Sequence, residues 1–206
     1  MTEQAPWFLA QVQQPDLDAK QQAEQRQLQL TKPTGALGQL EQLAIQLASL
    51  QGTLHPQIQQ PWITIFAGDH GVVAENISAY PQAVTRQMLQ NFASGGAAIS
   101  VIAKNHHAHL QVVDCGTVGE AYDYVGVERH CIRAGTANFA QQVAMTEQEC
   151  LAALQLGKDC VDRAKAQAAD IFIAGEMGIG NTCSASALAC LLLHEGAAQL
   201  TGVGTG

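Results

Sequence analysis

The stretch AGEMGIGNT, residues 174–182, places the tightest constraint on the fold. It joins an apolar run, residues 169–174, to a small-residue segment with helical character. The joint carries glycines 175, 178 and 180 and a single acid, Glu176. A strand, a tight loop and a helix start in direct succession can hold an anion on backbone N–H groups and set a carboxylate beside it. The same passage from strand to polar turn occurs twice upstream. WITIFAGDHG (62–71) and HLQVVDCG (109–116) are both short β-rich runs that end in polar, glycine-bearing turns. Strands at these spacings, separated by helices, predict an α/β protein with a mostly parallel, Rossmann-like sheet flanked by helices. Ligands of such sheets bind beyond the carboxyl ends of the strands. The loops 68–71, 114–117 and 175–181 are therefore expected to converge on a small-molecule site.

Residues 1–60 read as a polar helical segment, and 61–206 as the large α/β domain. TKPTGALG (31–38) is a punctuated turn in which Lys32 reads as a solvated lysine. A helix is predicted from Gln39, with Leu40, Leu43, Leu47 and Leu50 on one apolar face and Gly52 and Pro56 ending it. Another is predicted over 81–92, with Val84, Met88 and Phe92 on one face, and a further one over 97–103. CIRAGTANFA (131–140) reads as a short strand and a loop. Thr146 and Glu149 form a capping box that opens a helix reaching about residue 168. Asn181 or Thr182 is expected to cap the last helix. Its body, ASALACLLL, is apolar all round and is expected to be buried.

The 206 residues are 47% hydrophobic, enough for one substantial core. A formal charge of −8 and the lack of any basic patch exclude nucleic acid and anionic membrane as natural partners. No run is long enough for a membrane span, and the N-terminus lacks the pattern of a signal peptide. The six cysteines form no CxxC pair and read as free thiols of a cytoplasmic protein. Cys115 sits in one of the three loops, without an identifiable basic partner. There is no GxxxxGK[ST] motif, and glycines at 175, 178 and 180 do not spell GxGxxG. No HxH or HExxH spacing links Asp69 and His70 to a carboxylate cluster, so no metal is expected. His70 reads as a hydrogen-bonding loop residue. Tyr80, before Pro81, is a candidate aromatic wall for a planar substrate. Glu176 reads two ways: as a helix-end carboxylate held by local donors, or as the partner of a ribose or developing sugar cation.

Taken together and in order, KPTGALGQLEQLA, AGDHGV, YPQAVT, VVDCGT, GEMGIGNT and GVGTG resemble the nicotinate-nucleotide–dimethylbenzimidazole phosphoribosyltransferase family over nearly the whole chain. The resemblance implies a large α/β domain and a small helical domain drawn from both chain ends, to which residues 1–60 would contribute. It implies a homodimer with its active site near the subunit interface, and no metal or organic cofactor. The implied reaction moves the 5-phosphoribosyl group of nicotinate mononucleotide to 5,6-dimethylbenzimidazole, giving nicotinate and alpha-ribazole 5'-phosphate.

By the same resemblance Glu176 is a carboxylate close to the ribose. Gly175, Gly178, Ile179 and Asn181 share its active-site loop. Gly204, in the closing turn 201–206, matches a glycine at the substrate phosphate. Tyr80 falls where the family lines its benzimidazole pocket, although some members carry a smaller polar residue there. Asp69 and His70 are further substrate-binding candidates. Family members continue past residue 206 with a lysine near the phosphate and a glutamate general base, which no residue here matches. Residues 1–206 alone are therefore expected to be nearly inactive, with the large domain truncated. The alternative is a non-catalytic nucleotide-binding or partner subunit of the same fold.

Overall fold

The computed structural model describes residues 6–205. Gly206, the last residue of the predicted closing turn, lies outside them. The chain divides into two compact units between Gln57 and Ile58.

The first unit pairs α1 (Leu17–Gln29) with α2 (Gln39–Gln51). Asp16 caps α1, its Oδ1 accepting from Ala19 N at 2.8 Å. Ser49 of α2 donates its hydroxyl to the Asp16 carbonyl at 3.0 Å, which fixes the two helices to each other. Their contact is made by Ala23, Ile45, Ala48 and Leu54. Leu40, Leu43 and Leu50 are exposed, so the leucine face read from the sequence is not the one α2 turns to α1. Small residues at the contact let the backbones approach, and the larger leucines stay outside. Lys32 is not a free turn lysine; it forms a 2.7 Å ion pair with Glu41, whose pKa that bond lowers.

The second unit is a four-stranded sheet in the order β3-β2-β1-β4, parallel throughout. Its strands are β1 (Pro61–Gly68), β2 (His109–Gly116), β3 (Val127–Arg129) and β4 (Ile171–Met177). The helices are α3 (Ala83–Ser94), α4 (Ala98–Asn105), α5 (Glu147–Ala166), α6 (Asn181–Leu193) and the short α7 (Ala197–Leu200). β1 and β2 are central and almost continuously buried, as a strand covered on both faces must be.

One sheet face, with Ile63, Ile65, Ala67 and Val112, packs on Leu89 and Phe92 of α3 and Ala103 of α4. The inward stripe of α3 is Thr85, Leu89 and Phe92, while Val84 is half-buried: the stripe is turned by one residue from the predicted face. The opposite sheet face carries a polar chain. Trp62 Nε1 donates to Thr64 Oγ1 at 3.2 Å, and the Thr64 hydroxyl donates to Gln111 Oε1 at 2.9 Å. Gln111 Nε2 donates in turn to Glu128 of β3 at 3.0 Å, and Arg163 of α5 closes the chain onto Glu128 at 2.6 Å.

Three local expectations differ. Residues 131–140 hold no strand; the short third strand precedes them, paired with Val112, Val113 and Asp114. After it the chain makes only single bonds to the end of β2, such as Ile132 N to Cys115 O at 2.9 Å, and then turns away. β4 runs on through Gly175, Glu176 and Met177, because these residues continue the parallel ladder with Ile65, Phe66 and Ala67. Helix α6 has no buried residue, and Leu188, Leu191, Leu192 and Leu193 are exposed. It follows an edge strand, and among the described residues the four-residue α7 packs on it without fully burying any of its side chains. The capping box of α5 is present, with both reciprocal bonds between Thr146 and Glu149.

Candidate functional site

Because β2, β1 and β4 are parallel neighbours, their carboxyl ends open on one edge of the sheet. Asp69, the residue after β1, ties the loops at that edge together. Its N–H donates to Gly116 O at 3.0 Å, its carbonyl accepts from Thr136 N at 2.9 Å, and its Oδ2 accepts from Val118 N at 2.8 Å. The side chain is buried, and its Oδ1 makes no hydrogen bond among the described residues. Burial pushes the Asp69 pKa up, against the pull of the Val118 N–H and the Thr85 hydroxyl.

The Val118 loop is itself anchored. Arg86 of α3 donates to the carbonyls of Val118 and Glu120 at 2.5 and 2.8 Å. Asp114 Oδ1 accepts from Gly116 N and Thr117 N, both at 2.9 Å, and Tyr122 donates its hydroxyl to Asp114 Oδ2 at 2.5 Å.

His70 stands at the centre of the edge. Its Nδ1 lies 2.9 Å from Ser184 Oγ in the first turn of α6. Burial lowers its pKa, which keeps the imidazole neutral near pH 7. The turn after β4 presses against it. A Cβ at Gly178 would fall 2.3 Å from Gly68 O and 3.1 Å from the His70 ring. Gly180 has φ +87°, and a Cβ there would sit 2.9 Å from Val73. The glycine spacing read from the sequence is thus a requirement for close backbone approach. Between these glycines Ile179 is buried, and its N–H donates to Thr85 Oγ1 of α3 at 3.1 Å.

Gly180, not Asn181 or Thr182, is the N-cap of α6, and no side chain caps the helix. The Thr182 hydroxyl bonds instead to Asn181 Oδ1 at 3.3 Å, since an αL glycine at the cap leaves Asn181 already inside the helix. The N–H groups of Thr182 and Cys183 meet no acceptor among the described residues. Both residues line a cavity of about 260 Å³, closed on its far side by Ser78 and residues 201–205. Gly204, at φ +60°, comes so near that a Cβ on it would lie 3.4 Å from Thr182 Oγ1. Ser78 and Thr205 join their hydroxyls at 2.7 Å across the opening. No Lys or Arg among the described residues lines this cavity, so the helix start is what would attract an anion there.

The structure therefore brings Gly204 to the start of α6, and gathers His70, Gly178 and Ile179 around the same turn. Tyr80 is exposed, with its N–H on Ser78 Oγ at 3.2 Å. Glu176 is exposed on β4 beside Phe66, and Gly175 pairs with Ile65; both are strand residues, not the loop residues expected from their type. Neither borders the cavity at the start of α6. A second, smaller cavity of about 120 Å³ is bordered by His70 together with Cys115, Arg133, Met145 and Glu149. Burial and the Asp114 charge push the Cys115 thiol up to about 12, which disfavours the thiolate at neutral pH. The hydroxyls of Ser78, Thr85, Ser184 and Thr205 are not legible as site residues in the sequence, because no spacing distinguishes a hydroxyl that faces a loop from one that faces water.

A family model described as Phosphoribosyltransferase matches residues 12–206. The nicotinate-nucleotide–dimethylbenzimidazole phosphoribosyltransferase of Pseudomonas fluorescens (strain SBW25) is 58% identical over 200 residues, which are 97% of this chain and 57% of that protein. The enzyme of the same name from Pseudomonas putida (strain GB-1) is 62% identical over 191 residues, 93% of this chain and 54% of that one. A crystal structure of CobT from Thermus thermophilus superposes with a TM-score of 0.86 at 47% identity, covering 92% of this chain and 57% of that one. The chain thus spans a little over half the length of these relatives.

Proposed function

The chain belongs to the phosphoribosyltransferase family, and on that footing we propose that it serves the reaction for which its relatives are named. In this reading the 5-phosphoribosyl group of nicotinate mononucleotide passes to a nitrogen of 5,6-dimethylbenzimidazole, releasing nicotinate and leaving alpha-ribazole 5'-phosphate. The observation that carries it is the uncapped start of α6 facing the 202–205 turn. The free N–H groups of Thr182 and Cys183, the Gly204 backbone and the Ser78 and Thr205 hydroxyls offer an anion-sized set of donors.

The roles in this reading are those that the resemblance implies. The phosphate sits on the donors at the start of α6. Glu176, at the end of the neighbouring strand, faces positive charge as the bond from ribose to nicotinate loosens, and steadies it. Tyr80, exposed on the loop that bears Ser78, forms a wall for the flat acceptor base. Asn181 orients the ribose, and Asp69 and His70 hold the loops that shape the site. As one nitrogen of the benzimidazole attacks the ribose, a base must remove the proton carried by the other; no residue of this chain is assigned to that step. A homodimer acting in the cytoplasm belongs to the same reading.

The test begins with binding. Nicotinate mononucleotide added to isotope-labelled chain should shift the amide resonances of Thr182, Cys183 and Gly204, and nicotinate riboside, which lacks the phosphate, should not. Shifts confined to other residues would refute the phosphate site. For chemistry, nicotinate release followed by chromatography in a protein of the relatives' full length should fall on the order of 10²-fold in Glu176→Gln. An unaltered turnover would remove Glu176 from the mechanism.

A further inference from the structure

Thr85 is a fully buried hydroxyl on an otherwise apolar helix face. Its neighbours on that stripe, Leu89 and Phe92, fill the core against β1 and β2. A threonine there gives up apolar contact and needs partners for its hydroxyl. It has one on the turn between β4 and α6, 94 residues away in sequence: Ile179 N–H donates to Thr85 Oγ1 at 3.1 Å. Ile179 is itself buried, so its N–H has no access to water. The Thr85 hydroxyl acts in addition on the Asp69 carboxylate. Asp69 in turn receives Val118 N–H and holds Gly116 and Thr136 through its own backbone.

We propose that Thr85 is a positioning residue, which fixes the 178–180 turn and with it the open start of α6 relative to the end of β1. The assignment of what this position serves rests on the reading given above; the mechanical claim does not. The turn has few other means of being held. Glycines 178 and 180 bring no side chains, α6 buries none of its residues, and no side chain caps that helix. His70 grips α6 one turn further on, through Ser184. Thr85 supplies the side-chain hydrogen bond that reaches the turn itself. It also explains a placement that packing does not: α3 turns Thr85 inward where a valine would fill the core equally well.

The consequence is measurable. Thr85→Val keeps the shape of the side chain and removes both the acceptor for Ile179 and the hydroxyl beside Asp69. A buried N–H left without an acceptor raises the population of locally open turn by roughly 5- to 150-fold. Amide hydrogen exchange of the 206-residue chain reads this directly. In the wild type, Ile179 N–H should exchange more slowly than Gly180 N–H. In Thr85→Val the Ile179 rate should rise by about tenfold or more, and in Thr85→Ser, which restores the hydroxyl, it should return to within about threefold of the wild type. Exchange at Leu89 and Phe92, on the same helix, reports any general loosening and should change far less.

A protein of the relatives' full length supplies the second readout. There Thr85→Val should raise KM for nicotinate mononucleotide more than it lowers kcat, with recovery in Thr85→Ser. Unchanged exchange at Ile179 in a folded Thr85→Val chain would overturn the proposal, as would faster exchange at Ile179 than at Gly180 in the wild type. The wild-type comparison decides the matter even where Thr85→Val does not fold. Failure of the wild-type enzyme to release nicotinate would refute the catalytic reading alone, and the exchange data would still stand or fall by themselves.

Discussion

Replacing Gly178 by alanine places a methyl group 2.3 Å from the carbonyl oxygen of Gly68 and 3.1 Å from the His70 ring. The first neighbour decides the outcome. Gly68 ends a central strand and pairs with Gly116 of β2, so its backbone carbonyl cannot swing away as a side-chain tip would. Ordinary contact begins near 3.4 Å, so the turn itself must retreat by about 1 Å. A shift of that size takes Ile179 N–H out of reach of Thr85 Oγ1, now at 3.1 Å. Overpacking costs roughly 1–3 kcal/mol, and the orphaned buried N–H adds roughly 1–3 kcal/mol. Removing a glycine from the unfolded chain returns about 0.4–1 kcal/mol. The expected net loss is about 1–5 kcal/mol, or roughly 2–20 °C in Tm for a chain of this size. Urea unfolding followed by far-UV circular dichroism measures it. Gly157→Ala is the matched control: it lies inside α5 with open space at its Cβ position, and should stabilise by about 0.5–1 kcal/mol. A Gly178→Ala chain within about 0.5 kcal/mol of the wild type, the range of an ordinary surface change, would refute the close approach.

Two further outcomes follow from ionisation. Cys115, with its pKa pushed up to about 12, should react with a thiol reagent at pH 8 far more slowly than the exposed Cys131 and Cys150, as read by mass spectrometry after partial labelling; equal rates would show the loop to be open. His70 has its pKa lowered below 6.5 by burial, so the unfolded chain takes up that proton first as the pH falls. Its contribution to stability is present above pH 6.5 and is lost as the pH drops toward the folded pKa. His70→Gln should therefore flatten the slope of Tm against pH between about pH 7 and 5, and an identical slope in variant and wild type would disprove the burial argument.

The alternation from strand to helix is readable because each strand is a compact apolar run and each loop carries glycine. The parallel sheet and the convergence of three loops follow from that, and the capping box is legible in the spacing of Thr146 and Glu149. The differences fall where tertiary pairing overrides local composition. Gly175 and Glu176 look like a turn by residue type, yet they lie beside Ile65 and Phe66 and extend the ladder. Asn181 and Thr182 have side chains that cap helices well, but a left-handed glycine one residue earlier starts α6 instead. The leucine stripe of α2 is visible, but periodicity cannot tell which of two apolar faces meets α1. At the site, glycines announce themselves and hydroxyls do not. The bond from Thr85 to Ile179 spans 94 positions, and nothing local to either residue signals it.

The polar chain on the α5 side of the sheet bears on how β1 finds its place beside β2. Apolar alternation rejects a slip of one residue, since every side chain would change face. It is blind to a slip of two, which returns each side chain to its own face among similar neighbours. Trp62, Thr64 and Gln111 are not blind to it. With Thr64 opposite Gln111 the hydroxyl reaches Oε1 at 2.9 Å. Moved by two, Thr64 would face His109 or Val113, and its buried hydroxyl would lose its acceptor on Gln111. The unpaired group would cost about 1–3 kcal/mol, enough to suppress a shifted pairing roughly 5- to 150-fold. Three polar residues in the interior thus act as a vernier: they set the sheet's alignment at the scale where hydrophobicity has no resolution.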